Sequence, residues 1–280
     1  MDRLGPQQRD LLARWIPDAE VIADHSWKAT GTTVLEVRSQ TGRLIVKAGD
    51  AADGHIAREL RAHREWLHPW AATGRGPTLV NGDVLAKLLV TGFVPGRLVE
   101  GTAAQHDPDA FRQAGELLAA FHRQASRFDR DWHDRFRARV LRDLDRPHRI
   151  DPEVARQLRA EVSKWPGGGS RVVPTHGDWQ PRNWLVTDDG VVRVIDLGRA
   201  DLRPPTEDFV RLAGQDFDRD PELEAAFLEG YGVDPRTPEQ WRRDLLGQAV
   251  GTAVWAYGVR DTAFEEHGHA LLGSLYGEGE

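Results

Sequence analysis

The stretch Thr175-His176-Gly177-Asp178-Trp179-Gln180-Pro181-Arg182-Asn183-Trp184-Leu185-Val186, followed by Val191-Val192-Arg193-Val194-Ile195-Asp196-Leu197-Gly198, decides how this sequence is read. Gly177 and Pro181 mark a loop, because glycine frees the backbone and proline fixes it. The apolar runs at 183–186 and 191–195 are short strands, and Asp189-Gly190 between them is a hairpin-turn signal. An acid therefore opens a loop, an amide follows it at Asn183, and a second acid, Asp196, ends the hairpin just before Leu197-Gly198. A tight turn at that glycine aims Asp196 off the end of its strand.

Transfer of a phosphoryl group to an alcohol needs a carboxylate to accept or orient the hydroxyl proton. It also needs oxygen ligands for a Mg²⁺ ion bridging the phosphates. Asp178 fits the first need, and Asn183 with Asp196 the second, in order, spacing and structural context.

Upstream, residues 7–15 read as a short amphipathic helix, and 19–23 and 32–38 as strands. Thr41-Gly42 is a turn, after which Leu44-Ile45-Val46-Lys47 resumes as a strand. Asp53 is an N-cap candidate for a helix to about Leu67, with Ile56, Leu60, His63 and Leu67 on one face. Asn81-Gly82 predicts a two-residue hairpin turn, and Pro95-Gly96 a further turn. From about residue 107 the pattern changes to helices, with a stripe at Phe111, Ala114, Leu118, Phe121 and Ala125 and two more charged helices reaching Trp165. Residues 166–170 are a glycine-rich loop, and the chain is helical again from 205. This order predicts an α+β protein of two lobes. Residues 1–95 form a small β-rich lobe, residues 96–280 a larger helical lobe with the Asp178 loop, and a nucleotide cleft is expected between them.

The pattern H-G-D-x-x-x-x-N, then strand-D-x-G, resembles the signature of the aminoglycoside phosphotransferase and choline kinase-like families, and more distantly the catalytic loops of protein kinases. The resemblance implies a protein-kinase-like fold, Asp178 as catalytic base, and Asn183 and Asp196 as magnesium ligands. His176 would hold the loop by hydrogen bonds. Trp179, Gln180 and Arg182 depart from the family's commoner Leu-His-Pro-Gly series, so substrate preference does not carry over. Lys47, ending the third strand, is the cation expected on the nucleotide phosphates. On the following helix Glu59 lies at the margin of the apolar face while Glu65 points away, so Glu59 is its expected partner. The segment 24–33 would cover the phosphates, with Ser26, Thr30 and Gly31 as contacts. Residues 88–96 resemble the hinge, where backbone groups of Gly92, Phe93 and Val94 would hold the base. Asp208 reads as a residue that starts a helix.

Function is bounded by composition as well. With no cysteine, disulfides, thiolate metal sites and a cysteine nucleophile are excluded. A net charge of −7 gives no general attraction to nucleic acid or anionic membrane. Neither a signal peptide nor a membrane-spanning apolar run is apparent, so a cytoplasmic protein, a monomer or weak dimer, is expected. The acidic run at 216–224 and Glu265-Glu266 fit either a cationic substrate or a solvated face. The leading expectation is a small-molecule kinase using Mg²⁺ and ATP or GTP on a substrate hydroxyl, most simply that of an antibiotic of aminoglycoside, nucleoside or macrolide type. A metabolic kinase for choline, a sugar or homoserine is the alternative. A pseudokinase regulator is disfavoured, because Lys47, Asp178, Asn183 and Asp196 are all intact.

Overall fold

Alternation along Leu44-Ile45-Val46-Lys47-Ala48 sets the architecture around the site. In the computed structural model, which describes residues 3–27 and 31–277, Leu44, Val46 and Ala48 are buried on one face of the strand. Side chains of a strand point alternately to its two faces, so Ile45 and Lys47 emerge on the other.

The elements in order are α1 (Pro6–Trp15), β1 (Glu20–Asp24), β2 (Thr32–Ser39), β3 (Gly42–Gly49), α2 (His55–Glu65), α3 (His68–Ala72), β4 (Leu79–Asp83), β5 (Leu88–Gly92) and β6 (Arg97–Leu98). There follow α4 (Pro108–His122), β7 (Arg127–Asp129), α5 (Trp132–Leu144), α6 (Pro152–Val162), β8 (Ser170–Thr175), β9 (Trp184–Val186), β10 (Val192–Val194) and β11 (Asp201–Arg203). The rest is helical: α7 (Val210–Leu212), running into a π-helical turn at Ala213–Phe217, then α8 (Pro221–Tyr231), α9 (Pro238–Val259) and α10 (Thr262–Gly277). The content is α+β, as the sequence predicts.

Two compact units are formed. The first comprises Met1–Ala125, Pro174–Asp201 and Glu222–Gly232; the second comprises Ser126–Val173, Leu202–Pro221 and Val233–Glu280. In the first, an antiparallel five-stranded sheet runs β1-β2-β3-β5-β4. Leu12 and Ile16 from α1 and its C-cap pack with Leu35, Val37, Leu44, Val46, Leu88 and Val90 on one face. Ile56 and Leu60 of α2 pack with Leu89 on the other. Gly54 rather than the expected Asp53 is the N-cap of α2, but Asp53, one residue earlier, still ties down its first turn by accepting the Ile56 amide at 3.0 Å. A second small sheet of the same unit, β10-β9-β6, carries the predicted Asp189-Gly190 hairpin.

The turn expected at Asn81-Gly82 does not form. Both residues lie inside β4, paired with Val90 and Leu89, and the chain reverses at 84–87 instead. Lys87 there adopts φ +50°, and Asp83 accepts the Ala86 amide at 2.8 Å. Gly82 is required for another reason: a Cβ on it would stand 2.6 Å from Leu60 Cδ1, so the glycine admits α2 against the sheet.

In the second unit, Phe136, Val140, Leu158, Val162, Leu246 and Val250 from α5, α6 and α9 share one core with Leu272 of α10. Phe136 stacks on Trp165 at 5.6 Å. Asp208 is buried in a 3₁₀ turn at Pro205–Asp208. Among the described residues, no helix is long and apolar enough to cross a membrane.

Helices α4 and α8 of the first unit meet through glycines on both sides. A Cβ on Gly115 would come within 2.1 Å of the Phe227 carbonyl oxygen, and one on Gly230 within 1.9 Å of that of Arg112. Alanine at an ordinary helix position gains ~1 kcal/mol over glycine. Here the backbone clash outweighs that gain, so Gly115→Ala and Gly230→Ala should each lower stability by about 2 kcal/mol or more in denaturant titration. Unchanged or higher stability would contradict the close crossing.

Candidate active site

Gly177, at φ +78°, turns the chain out of β8 into the Asp178 loop. His176 is fully buried beneath it; its Nε2 donates to the Ile195 carbonyl (3.1 Å) and its Nδ1 accepts the Asp178 amide (3.3 Å). These two bonds assign the tautomer and tie the loop to the end of the hairpin. The loop rests on an aromatic wall: Trp70 stacks on Phe121 at 4.5 Å, and Trp179 sits 5.7 Å from Trp70 and 5.5 Å from Trp184. All four rings are buried, which makes Trp179 a core residue of the loop.

Three side chains converge on the Asp178 carboxylate. Gln180 Nε2 donates to Oδ1 at 2.6 Å, while Arg182 Nη2 (2.8 Å) and Asn183 Nδ2 (3.1 Å) donate to Oδ2. Asn183 Nδ2 also donates to the Asp178 carbonyl at 2.7 Å. A 3₁₀ turn at Pro181–Asn183 makes this possible by bringing residue 182 back over residue 178. The Asn183 carbonyl in turn accepts the Ile195 amide at 3.0 Å, so hairpin and loop hold each other in register.

At the hairpin's end Asp196 adopts φ +66°, a left-handed conformation uncommon for residues other than glycine, asparagine and aspartate. Its Oδ1 accepts from Lys47 Nζ at 3.0 Å. Lys47 also donates to both carboxylate oxygens of Glu59, each at 2.9 Å. One ammonium thus joins β3, α2 and the Asp196 turn. Glu65 is exposed and takes no part. The turn is further latched to α2, since His55 Nδ1 and Arg58 Nε donate to the Gly198 carbonyl at 3.0 and 3.1 Å.

A sequence profile of the phosphotransferase enzyme family matches residues 26–243. The chain belongs to that family. As a member it is an enzyme, a phosphotransferase with an alcohol group as acceptor. Compared with curated proteins by sequence, it finds no match. Among solved structures, the phosphotransferase resembles a macrolide 2′-phosphotransferase from Brachybacterium faecium at 17% identity, with a TM-score of 0.55 over 97% of this chain and 98% of that one. It also resembles choline kinase from Streptococcus pneumoniae, at 12% identity and a TM-score of 0.64 over 98% and 100% of the two chains. A spectinomycin phosphotransferase solved with ADP and spectinomycin matches at 14% identity, with a TM-score of 0.61 over 96% and 92%. The fold is kinase-like.

Within this phosphotransferase the charges of the triad are unequal. Burial opposes the Lys47 ammonium, but Asp196 and Glu59 outweigh it and hold its pKa above the usual lysine value. Burial pushes the Glu59 carboxyl up against the pull of Lys47. The Asp196 side chain is about half exposed (51%), and Lys47 draws its carboxyl below the usual range. His63, on the same helix, is depressed to about 4 by burial and by the Lys47 charge, and so stays neutral.

Among the described residues, no group of three or more His, Cys, Asp and Glu is placed to hold a metal by itself. The donors present are an ionised, accessible Asp196 and Asn183, whose NH₂ is committed to Asp178 and whose Oδ1 is the acceptor left over. Two protein oxygens fit Mg²⁺, which completes its shell with water and phosphate oxygens.

The phosphate-loop and hinge candidates are placed as follows. Ser26 Oγ accepts the Val34 amide at 2.9 Å. The Gly31 carbonyl accepts the Asp50 amide, and a Cβ on Gly31 would meet Asp50 Oδ2 at 2.0 Å. Thr30 lies outside the described residues. The Gly92 amide donates to Thr78 O (2.8 Å) and that of Phe93 to Arg43 O (3.1 Å), so both are spent within the fold. Phe93 is covered by the Arg43 guanidinium, 3.7 Å from its ring centre. The contacts of Gln180 and Arg182 to Asp178 were not read from sequence. The available signal was that both stand in the same proline turn as Asp178.

Glu59→Ala leaves a largely buried ammonium (14% exposed) with one carboxylate instead of two. It should cost about 3 kcal/mol or more in equilibrium unfolding. An unchanged unfolding midpoint would show that the pair does not hold the unit together.

Proposed function

We propose that this phosphotransferase moves the γ-phosphoryl group of ATP or GTP to a hydroxyl of a small molecule, most simply an antibiotic, and so confers resistance. The observation that carries this reading is Lys47 lying between Glu59 and Asp196 in the unit that also presents Asp178 and Asn183. In this reading residues 1–95 form the nucleotide-binding lobe and residues 96–280 the helical lobe with the substrate site. Support for a nucleotide and for an antibiotic acceptor comes from the kinase-like fold and from the spectinomycin enzyme solved with ADP and its drug. The choline kinase neighbour supports the metabolic alternative, a kinase for choline, a sugar or homoserine.

Each residue then has a task. Lys47, kept charged and aimed by Glu59, turns from Asp196 to the phosphate oxygens. Asn183 and Asp196 would hold Mg²⁺, which would supply positive charge to offset that of the phosphates. Ser26 and Gly31 contact the phosphates, as does Thr30 by its place in the same segment of sequence. At the hinge, the Val94 amide donates to the base, since those of Gly92 and Phe93 are already bonded. Asp178 takes the acceptor's proton as its oxygen bonds to phosphorus and the bond to the nucleoside diphosphate breaks. The modified hydroxyl gains roughly two negative charges, enough to spoil recognition of an antibiotic by its target.

The test is a transfer screen with Mg²⁺ and either nucleotide against antibiotics, nucleosides, sugars and amino alcohols, read by product mass. One acceptor should gain a phosphate. Asp178→Asn should cut that rate by about 10²–10⁴-fold with nucleotide affinity retained; full turnover in the variant would refute the base assignment. Asn183→Ala and Asp196→Asn should raise the Mg²⁺ concentration needed for half-maximal rate. An unaltered metal dependence in both would remove them as ligands.

A further inference from the structure

Arg182 is the feature of the loop that a generic phosphotransferase does not require. Its guanidinium bonds Asp178 Oδ2 at 2.8 Å, and its side chain is 37% exposed while that of Asp178 is 7% exposed. The contact is an ion pair on one wall of the loop whose positive member faces outward.

We propose that Arg182 is a specificity-determining residue that restricts the acceptor to a hydroxyl on a neutral or anionic part of the substrate and excludes one flanked by a fixed ammonium. The inference rests on the reading that Asp178 receives the acceptor's proton. A hydroxyl bonded to Asp178 Oδ2 then lies no farther than about 6 Å from the guanidinium, the sum of two hydrogen-bond lengths. Through Oδ1, already held by Gln180, the separation is about 8 Å. An ammonium on the neighbouring carbon of the substrate stands in the same range and meets a like charge. It gains little from Asp178 in return, because Arg182 compensates that carboxylate. Measured against the same loop without Arg182, where an uncompensated Asp178 attracts that ammonium, a like charge at such distances in a partly desolvated site costs about tenfold in affinity or more. A carboxylate or phosphate on the acceptor is instead drawn to the exposed edge of the guanidinium. Among the candidate acceptors, this favours neutral sugars, nucleosides and acidic alcohols over choline and over amino sugars that react beside an amine.

The experiment reads Asp178 itself, in the full chain carrying carboxyl-¹³C aspartate, with its resonance assigned through Asp178→Asn. The probes are choline and 3,3-dimethylbutan-1-ol, which has choline's shape without its charge. Choline should perturb the Asp178 resonance at least tenfold more tightly in Arg182→Gln than in the wild type. Arg182→Lys, which keeps the charge, should remain as resistant as the wild type, and the neutral alcohol should bind wild type and Arg182→Gln alike. Equal choline affinity in wild type and Arg182→Gln overturns the inference. So does an equal gain for the neutral alcohol, since that reports space opened by the shorter side chain. Transfer is scored separately: if these shifts occur as expected but Asp178→Asn keeps full turnover, the base role falls and the charge selection at Asp178 stands.

Discussion

Lys47 is the point on which the site depends. A buried ammonium is costly unless carboxylates compensate it, and here two do so from different parts of the chain. Because Glu59 belongs to α2 and Asp196 to the turn after β10, the lysine fixes both against β3 at once. The alternation of the strand dictates its direction: with Leu44, Val46 and Ala48 committed to the α1 face, Lys47 has to face α2. Glu59 is raised because its burial outweighs the pull of Lys47, and Asp196 is lowered because that pull outweighs its burial.

The Asp178 loop is positioned by other means. Buried aromatic rings lie beneath it, and His176 binds its first residues to Ile195, just beyond β10. Its carboxylate is oriented by Gln180, Arg182 and Asn183, all from its own proline turn. Loop and hairpin therefore form one rigid element within the first unit, to which the lysine is added. An enzyme whose chemistry is mostly positioning gains from such preorganisation, because bonds already in place need no reordering during transfer.

Much of this was legible in the sequence because the relevant signals were local. The spacing from Asp178 to Asn183, the Asp189-Gly190 hairpin and the 3.6-residue period of α2 each constrain a short stretch. The family resemblance that the loop and hairpin carry is what implied the kinase-like fold. The choice of Glu59 over Glu65 followed from helix geometry, and the side chains lie accordingly. What failed was a glycine read as local when its cause was tertiary. Gly82 admits Leu60 of α2 rather than making a turn, and no pattern within residues 79–90 contains that information. The crossing at Gly115 and Gly230 was invisible for the same reason, as its partners lie far apart in sequence. The hinge candidates Gly92, Phe93 and Val94 look like three equivalent backbone positions in the sequence. Sheet pairing and the Arg43 contact make them unequal, and that distinction requires knowing which strand lies beside which.

We propose that Lys47, Glu59 and Asp196 form the anchor for nucleotide phosphates next to Asp178 as base. A crystal structure with Mg²⁺ and a non-hydrolysable ATP or GTP analogue tests it most directly. The account predicts Lys47 Nζ on phosphate oxygens while still bonded to Glu59, with the metal bound by Asn183 Oδ1 and Asp196 and the terminal phosphate facing Asp178. A nucleotide bound elsewhere, or one beside the triad that leaves Lys47 on Asp196 and the metal off both ligands, would contradict it.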